Sequence, residues 1–285
     1  MTAPASYGPA ALPRLRVGAA HAGVALAAAF FALVCLAALA PGLFAHGPDQ
    51  VNPALALRDP MPGHPLGTDQ LGRDVLARLV FGARPSLLVG VGSTLLAGLA
   101  GSAWGLLAAL GGRLVGEAAM RLADVLLSFP AILMALLVVA VLGPGTRNAV
   151  LAITVALAPG FARVVRAQAL VVRGSAYVRA AVNLGLTPGR ILLRHIAPNV
   201  VAPLLILATI NVGTALIAGA SLSFLGLGPQ PPAPEWGAML AQARDYLDAS
   251  WTLALFPGAA ITLTVMSATV VGRALQARYE GREAG

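Results

Sequence analysis

The chain has no lysine, one cysteine and little charge: 11% of its 285 residues are charged, against 58% hydrophobic, and all 19 basic residues are arginine. A water-soluble domain carries about 25% charged residues. Polar surface is therefore too scarce to cover a globule in water, and lipid must be the main solvent. Without lysine the phosphate-cradling pattern G-x-x-x-x-G-K-[ST] cannot be made, so nucleotide binding through that motif is excluded. The single cysteine, Cys35, excludes an intramolecular disulfide and is no metal site by itself. Hardly any charge lies deep in the apolar runs, where ion-coupled carriers place ionisable groups. That scarcity points to energy supplied from outside the chain, with a stand-alone secondary carrier as the alternative. No convergent set of acids, histidines and nucleophiles falls in the runs, so an enzyme is not indicated. His64, Asp69 and Asp74 are loosely spaced, and Asp69 also suits turn chemistry, so no metal or other cofactor is assigned.

What is present is a series of apolar runs, approximately 22–44, 86–110, 122–142, 149–172, 200–224 and 251–271. Each is long enough for the roughly 20 helical residues that cross about 30 Å of hydrocarbon. They are continuous rather than alternating, which favours helices over barrel strands. The fold expected is an all-α polytopic membrane protein with six transmembrane helices. The first run follows Arg14 and Arg16 as a signal peptide would, but it exceeds the usual core of about 7–15 residues and reads as a span over 21–45. Residues 1–20 and 274–285 read as tails, 46–85 and 226–250 as external loops, and 86–273 as a core of five spans.

The arginines set the orientation. With the N-terminus inside, 13 arginines fall on the cytoplasmic side and 6 outside, while seven of the 11 acids fall outside. Both termini are then cytoplasmic. The net charge of +8 becomes a membrane-topology signal rather than a nucleic-acid one.

Two external stretches have shape. After Pro65-Leu66-Gly67, Thr68 or Asp69 is placed to cap a short amphipathic helix with Leu71, Val75, Leu76, Leu79 and Val80 on its apolar stripe. Beyond Gly226-Leu227-Gly228-Pro229, the residues Trp236, Met239, Leu240, Ala243 and Leu247 recur at helical spacing. Trp236, Tyr246 and Trp251 suit a membrane boundary. Within the spans, Gly101 and Gly105 form a G-x-x-x-G pair, either for packing in the bundle or for contact with a second subunit. Pro159-Gly160 interrupts the fourth run, where a missing hydrogen bond predicts a kink, static or part of a gate.

A polar, arginine-bearing island reads YVRAAVNLGLTPGRILLRHIAPN, 177–199. Paired alanines (Ala180, Ala181), then Gly185 and Pro198, suit a short helix, a tight turn and a second helical start on the cytoplasmic side. Arg194 and His195 read as structural or interface residues rather than catalytic ones.

With HPLGTDQLGRDVLARLVFGARPSL (64–87), MRLADVLLSFP (120–130), VLGPGTRNAV (141–150) and SLSFLGLGPQPPAPEWGAML (221–240), this island resembles the membrane subunits of bacterial binding-protein-dependent ABC importers, in the dipeptide/oligopeptide/nickel permease family. The stretches cover residues 64 to about 273. The resemblance implies that 177–199 is the "EAA" loop between spans four and five, a coupling helix docking on a cytoplasmic ATPase through Tyr177, Arg179, Ala180, Ala181, Gly185, Arg194, His195 and Pro198. It also implies two ATPase subunits, a second homologous permease, an extracytoplasmic solute-binding protein and a location in the bacterial inner membrane. Three positions depart from the family pattern: Arg179 replaces its usual glutamate, Ala197 replaces the hydrophobe before the proline, and Ala218-Gly219-Ala220-Ser221 lacks an acid often found there. No solute-binding residue is assigned.

Overall fold

The computed structural model describes residues 15–279 and 281. The expected tails therefore lie partly outside the described residues, over 1–14, Glu280 and 282–285. Among the described residues five helices are long and apolar enough to cross a bilayer, and one pair of helices bent at 92° is a sixth candidate span. The polytopic all-α architecture follows from these elements.

The first helix, α1, spans Leu15–Leu39. It ends earlier than the 45 expected, because Pro41 opens a short 3-10 turn, Pro41–Leu43, and cannot continue the helix. The external stretch 46–74 holds no separate amphipathic helix. Asp74, not Thr68 or Asp69, is the cap: its carboxylate accepts from the Ala77 N–H at 2.9 Å and starts α2, Val75–Leu110. Thr68 instead donates to the Leu55 carbonyl and accepts from the Arg58 N–H at 3.0 Å. Leu71, expected on the stripe, is exposed in a turn. The expected short helix and the second span are one 36-residue rod.

The third span is not continuous. It divides into α3, Gly112–Leu127, and α4, Ala131–Leu142, which meet at 92° across Ser128-Phe129-Pro130. Proline supplies no N–H for the preceding turn and disfavours helix in the residue before it, so the break falls at Pro130. The fourth, α5, runs Thr146–Arg173 and stays helical through Pro159. A short α6, Ala176–Asn183, is followed by α7, Pro188–Ile191, a π-helical turn at Leu192–Ile196, and α8, Ala197–Phe224. These last three are continuous, so the fifth span extends well into the cytoplasmic island. Outside, α9 covers Trp236–Ala243, and α10, Thr252–Tyr279, carries the last span beyond the 271 expected.

The core divides into clusters at successive levels of the bundle. An outer cluster joins Val34, Val75, Leu216, Trp236, Met239 and Leu253 from α1, α2, α8, α9 and α10. A middle one joins Val89, Val139, Ile153 and Leu222. An inner one joins Ala109, Val165, Val178, Ile191, Ile196 and Val200, locking the cytoplasmic island to the bundle. Many large apolar side chains, such as Leu26, Leu99, Val141 and Leu205, remain outside these clusters and exposed, as suits a chain solvated by lipid.

Candidate functional site

The cytoplasmic island folds as its sequence pattern suggests. Gly185 holds φ +76°, a left-handed conformation that glycine adopts without steric cost. Around it the Gly185 N–H donates to the Val182 carbonyl at 2.9 Å and the Leu186 N–H to the Ala181 carbonyl at 3.2 Å. This double closure is a Schellman motif, and it turns the chain sharply at the end of α6. Pro188 then begins α7 with its fixed φ, at the position where a missing N–H costs nothing.

The two faces of α6 differ. Val178 and Ala181 are buried against the bundle, while Tyr177, Arg179, Ala180, Val182 and Leu184 are exposed, Leu184 at 80%. The paired alanines thus divide: Ala181 allows α6 to lie close to its own bundle, and Ala180 faces outward. The Tyr177 and His195 rings stand 5.9 Å apart, and the Asn199 amide donates to the Tyr177 hydroxyl at 3.3 Å and the His195 carbonyl at 2.6 Å. Tyr177 and His195 therefore brace α6 against the π-helical turn. Arg179, Arg190 and Arg194 are exposed and make no ion pair among the described residues; Pro198 is also exposed. At the base of the island, Arg173 donates to the Ala109 carbonyl at 2.9 Å and ties the end of α5 to the end of α2. A cleft of about 750 Å³ opens between these helix ends and α6, with Arg173, Arg179 and Asn183 on its walls.

Gly101 and Gly105 lie directly against the backbone of α5. A Cβ on Gly101 would lie 2.6 Å from the Ala158 carbonyl and against Phe161; one on Gly105 would lie 2.5 Å from the Ala162 carbonyl. Pro159 is buried within α5, whereas a Cβ on Gly160 would meet nothing within 4 Å.

The outer face carries a polar network. Asp69 accepts from the Arg73 Nε at 2.6 Å and from the Leu71 and Arg73 N–H groups at 2.9 Å, and it stands 3.6 Å from the Arg78 Nε. Arg78, 1% exposed, reaches Asp49 at 3.3 Å and the Pro232 carbonyl at 3.4 Å. Glu235 is buried at the start of α9. It accepts from the Gly237 and Ala238 N–H groups and from the Ser86 hydroxyl. Trp236, expected at a membrane boundary, faces the protein interior. It is buried at 2% exposure and donates from its indole to the Leu79 carbonyl at 2.8 Å. His64 pairs with Asp74 at 3.3 Å, but Asp69 is spent on the arginines, so these three do not converge on a metal.

Sequence reasoning missed the closure between α2 and α9, because Ser86 and Glu235 are 149 residues apart. It also missed an exposed ion pair between α3 and α5, Asp124 with Arg163 at 2.6 Å. The signal for both was a charged residue within or beside an apolar pattern, without a visible partner.

Residues 101–284 match the model of a family described as binding-protein-dependent transport system inner membrane component. The chain is 41% identical over 244 residues to the dipeptide transport system permease protein DppC of Alkalihalophilus pseudofirmus, covering 85% of this chain and 80% of that one. It is 42% identical over 217 residues to the glutathione transport system permease protein GsiD of Pectobacterium atrosepticum, covering 76% and 72%. To the probable D,D-dipeptide transport system permease protein DdpC of Escherichia coli it is 36% identical over 245 residues, covering 86% and 82%. Among solved structures, an inward-facing form of the MetNI methionine ABC transporter shares the fold at a TM-score of 0.58. At 21% identity, that match covers 70% of this chain and 95% of the other.

Proposed function

The chain belongs to the family of binding-protein-dependent transport system inner membrane components, and from that premise we propose that residues 176–196 are the surface on which a separate ATPase drives it. The protein is a membrane-embedded permease subunit of an ABC importer, not a stand-alone carrier and not itself an enzyme. It works with an ATPase and a binding protein. In our reading it sits in the bacterial cytoplasmic membrane, pairs with a second, homologous permease subunit and engages two ATPase subunits. The names of its relatives favour short peptides as the solute.

The observation that carries the coupling role is the two-faced α6. Its inner face is fixed through Val178, Ala181 and the inner core cluster, and its outer face presents Val182 and Leu184 beside unpaired arginines. A lever must be rigidly joined to what it moves and free on the side that is pushed. Tyr177, Arg179, Ala180, Arg194, His195 and Pro198 complete or brace that surface, and Gly185 sets its turn. Closure of the ATPases on ATP, transmitted through α6 to α5 and α8, opens the path outward; hydrolysis resets it. Arg179 places a positive charge where the family resemblance implies a glutamate, which an acid on the ATPase would complement.

The test is Leu184→Asp in the assembled complex. Burying a leucine at an interface stabilises by about 1.5–3 kcal/mol, and a buried unpaired carboxylate adds to the loss. We expect ATPase affinity for the solubilised permease pair to fall at least about tenfold, with solute-stimulated ATP hydrolysis lost. Unchanged affinity and stimulation would place the ATPase elsewhere.

A further inference from the structure

We infer that the Asp124–Arg163 ion pair, beside the break between α3 and α4, lines the solute path and contacts the charged termini of a zwitterionic solute; this rests on the importer reading above. The inference begins with depth. Helix α4 has 12 residues, so it covers about 18 Å at about 1.5 Å per residue. The hydrocarbon is about 30 Å thick. The outer end of α4 leads through Gly143-Pro144-Gly145 into α5, so its inner end and the Ser128-Phe129-Pro130 break lie within the bilayer. Asp124 is one helical turn before that break. Arg163 lies about 26 Å along α5 from Thr146 at the outer end, at about 1.5 Å per residue, just inside the inner edge of the hydrocarbon.

The second observation is exposure. The side chains of Arg163 and Asp124 are 57% and 62% exposed on the subunit, although they pair at 2.6 Å. Arginine can snorkel toward an interface, but the short aspartate side chain cannot. Charge at this depth, and backbone without helical hydrogen bonds, are tolerated only where protein covers them or water fills a cavity. Ser128, Phe129 and Pro130 are all exposed as well. Two independent features, a broken helix and an ion pair, thus mark one face as turned from lipid.

The third is shape. Ala156, Gly160 and Ala167 share the Arg163 face of α5 at helical spacing, and a Cβ on Gly160 would meet nothing within 4 Å. The pair therefore borders open space, not a wall of side chains. A guanidinium and a carboxylate side by side complement the carboxylate and ammonium of a short peptide. Solute arrival exchanges the internal pair for two solute contacts, with no net charge desolvated alone.

The complete importer (both permeases, ATPases and binding protein) is reconstituted with Cys35→Ala, and ATP-driven dipeptide uptake by this background is measured first. No uptake there contradicts the importer reading and is distinct from any result below. Ser128→Cys, which changes one atom, and Asp124→Cys are then treated with a charged, membrane-impermeant thiosulfonate or a lipid-soluble maleimide. Labelling by the charged reagent, with uptake blocked by the label, is the expected result. Labelling by the maleimide alone places the face in lipid; labelling by neither places it against the second permease; both overturn the inference. Asp124→Asn should lower uptake of a dipeptide with free termini about tenfold, as expected for loss of one charge-assisted contact. Uptake equal to the unmutated residue overturns the solute contact even where labelling succeeds.

Discussion

Four glycines of α2 permit a controlled experiment on how the bundle is held together. Alanine at Gly92, Gly98, Gly101 or Gly105 adds the same methyl group to the same helix. At Gly92 and Gly98 the nearest atoms to a new Cβ are Val150 Cγ1 at 4.0 Å and Phe161 Cε1 at 3.9 Å, ordinary contact. At Gly101 the methyl would stand 2.6 Å from the Ala158 carbonyl and 3.0 Å from the Ala162 nitrogen. At Gly105 it would stand 2.5 Å from the Ala162 carbonyl and 2.9 Å from Val165 Cβ. These obstacles are backbone and Cβ atoms, so relief requires α5 to move. The gain in helix propensity from glycine to alanine, up to about 1 kcal/mol, is common to all four sites. The difference between the pairs is therefore overpacking alone, about 1–3 kcal/mol. Thermal unfolding of the purified subunit in detergent should place Gly101→Ala and Gly105→Ala roughly 2–10 °C below Gly92→Ala and Gly98→Ala. A common midpoint for all four would refute the argument that close backbone approach joins α2 to α5.

Other perturbations have signs fixed by the same geometry. Asp69→Asn leaves Arg73 and Arg78 buried beside a neutral amide; removing one partner of a buried ion pair costs about 3–5 kcal/mol. The subunit should show this as a lowered unfolding midpoint, whereas an unchanged midpoint would mean that the outer network is solvated. Gly185→Val forces a branched side chain to φ +76°, costing about 1–2 kcal/mol. Faster hydrogen exchange confined to 176–191 should report it, because nothing else lies within 4 Å of that position. Unchanged exchange there would show that the turn does not depend on the left-handed glycine.

The sequence made the spans, the island and its turn legible because each rests on local chemistry. Apolar length gives a span, and Ala181-Val182-Asn183-Leu184-Gly185 contains every position of its own Schellman closure except Leu186, the next residue. The third span misled because continuous hydrophobicity does not report direction; Pro130 was the available sign that 122–142 turns through 92°. The outer loop misled for another reason. Thr68, Asp69 and Asp74 are all good caps in isolation, and only the arginines folded against Asp69 decide that Asp74 starts α2. Trp236 looked interfacial because its partner, the Leu79 carbonyl, is 157 residues away. The Ser86–Glu235 contact, 149 residues apart, and the Asp124–Arg163 pair, 39 apart, likewise lie beyond any periodicity in one chain.

The central claim is that this chain has no energy source of its own and is driven through α6. Its most direct test is dipeptide uptake into proteoliposomes carrying the permease pair, with binding protein on the outside, under either an imposed proton or sodium gradient or enclosed ATP with the ATPase subunits. Uptake that requires ATP and the ATPase, and ignores the gradient, is the predicted result. Gradient-driven uptake by the permeases without the ATPase would contradict the account.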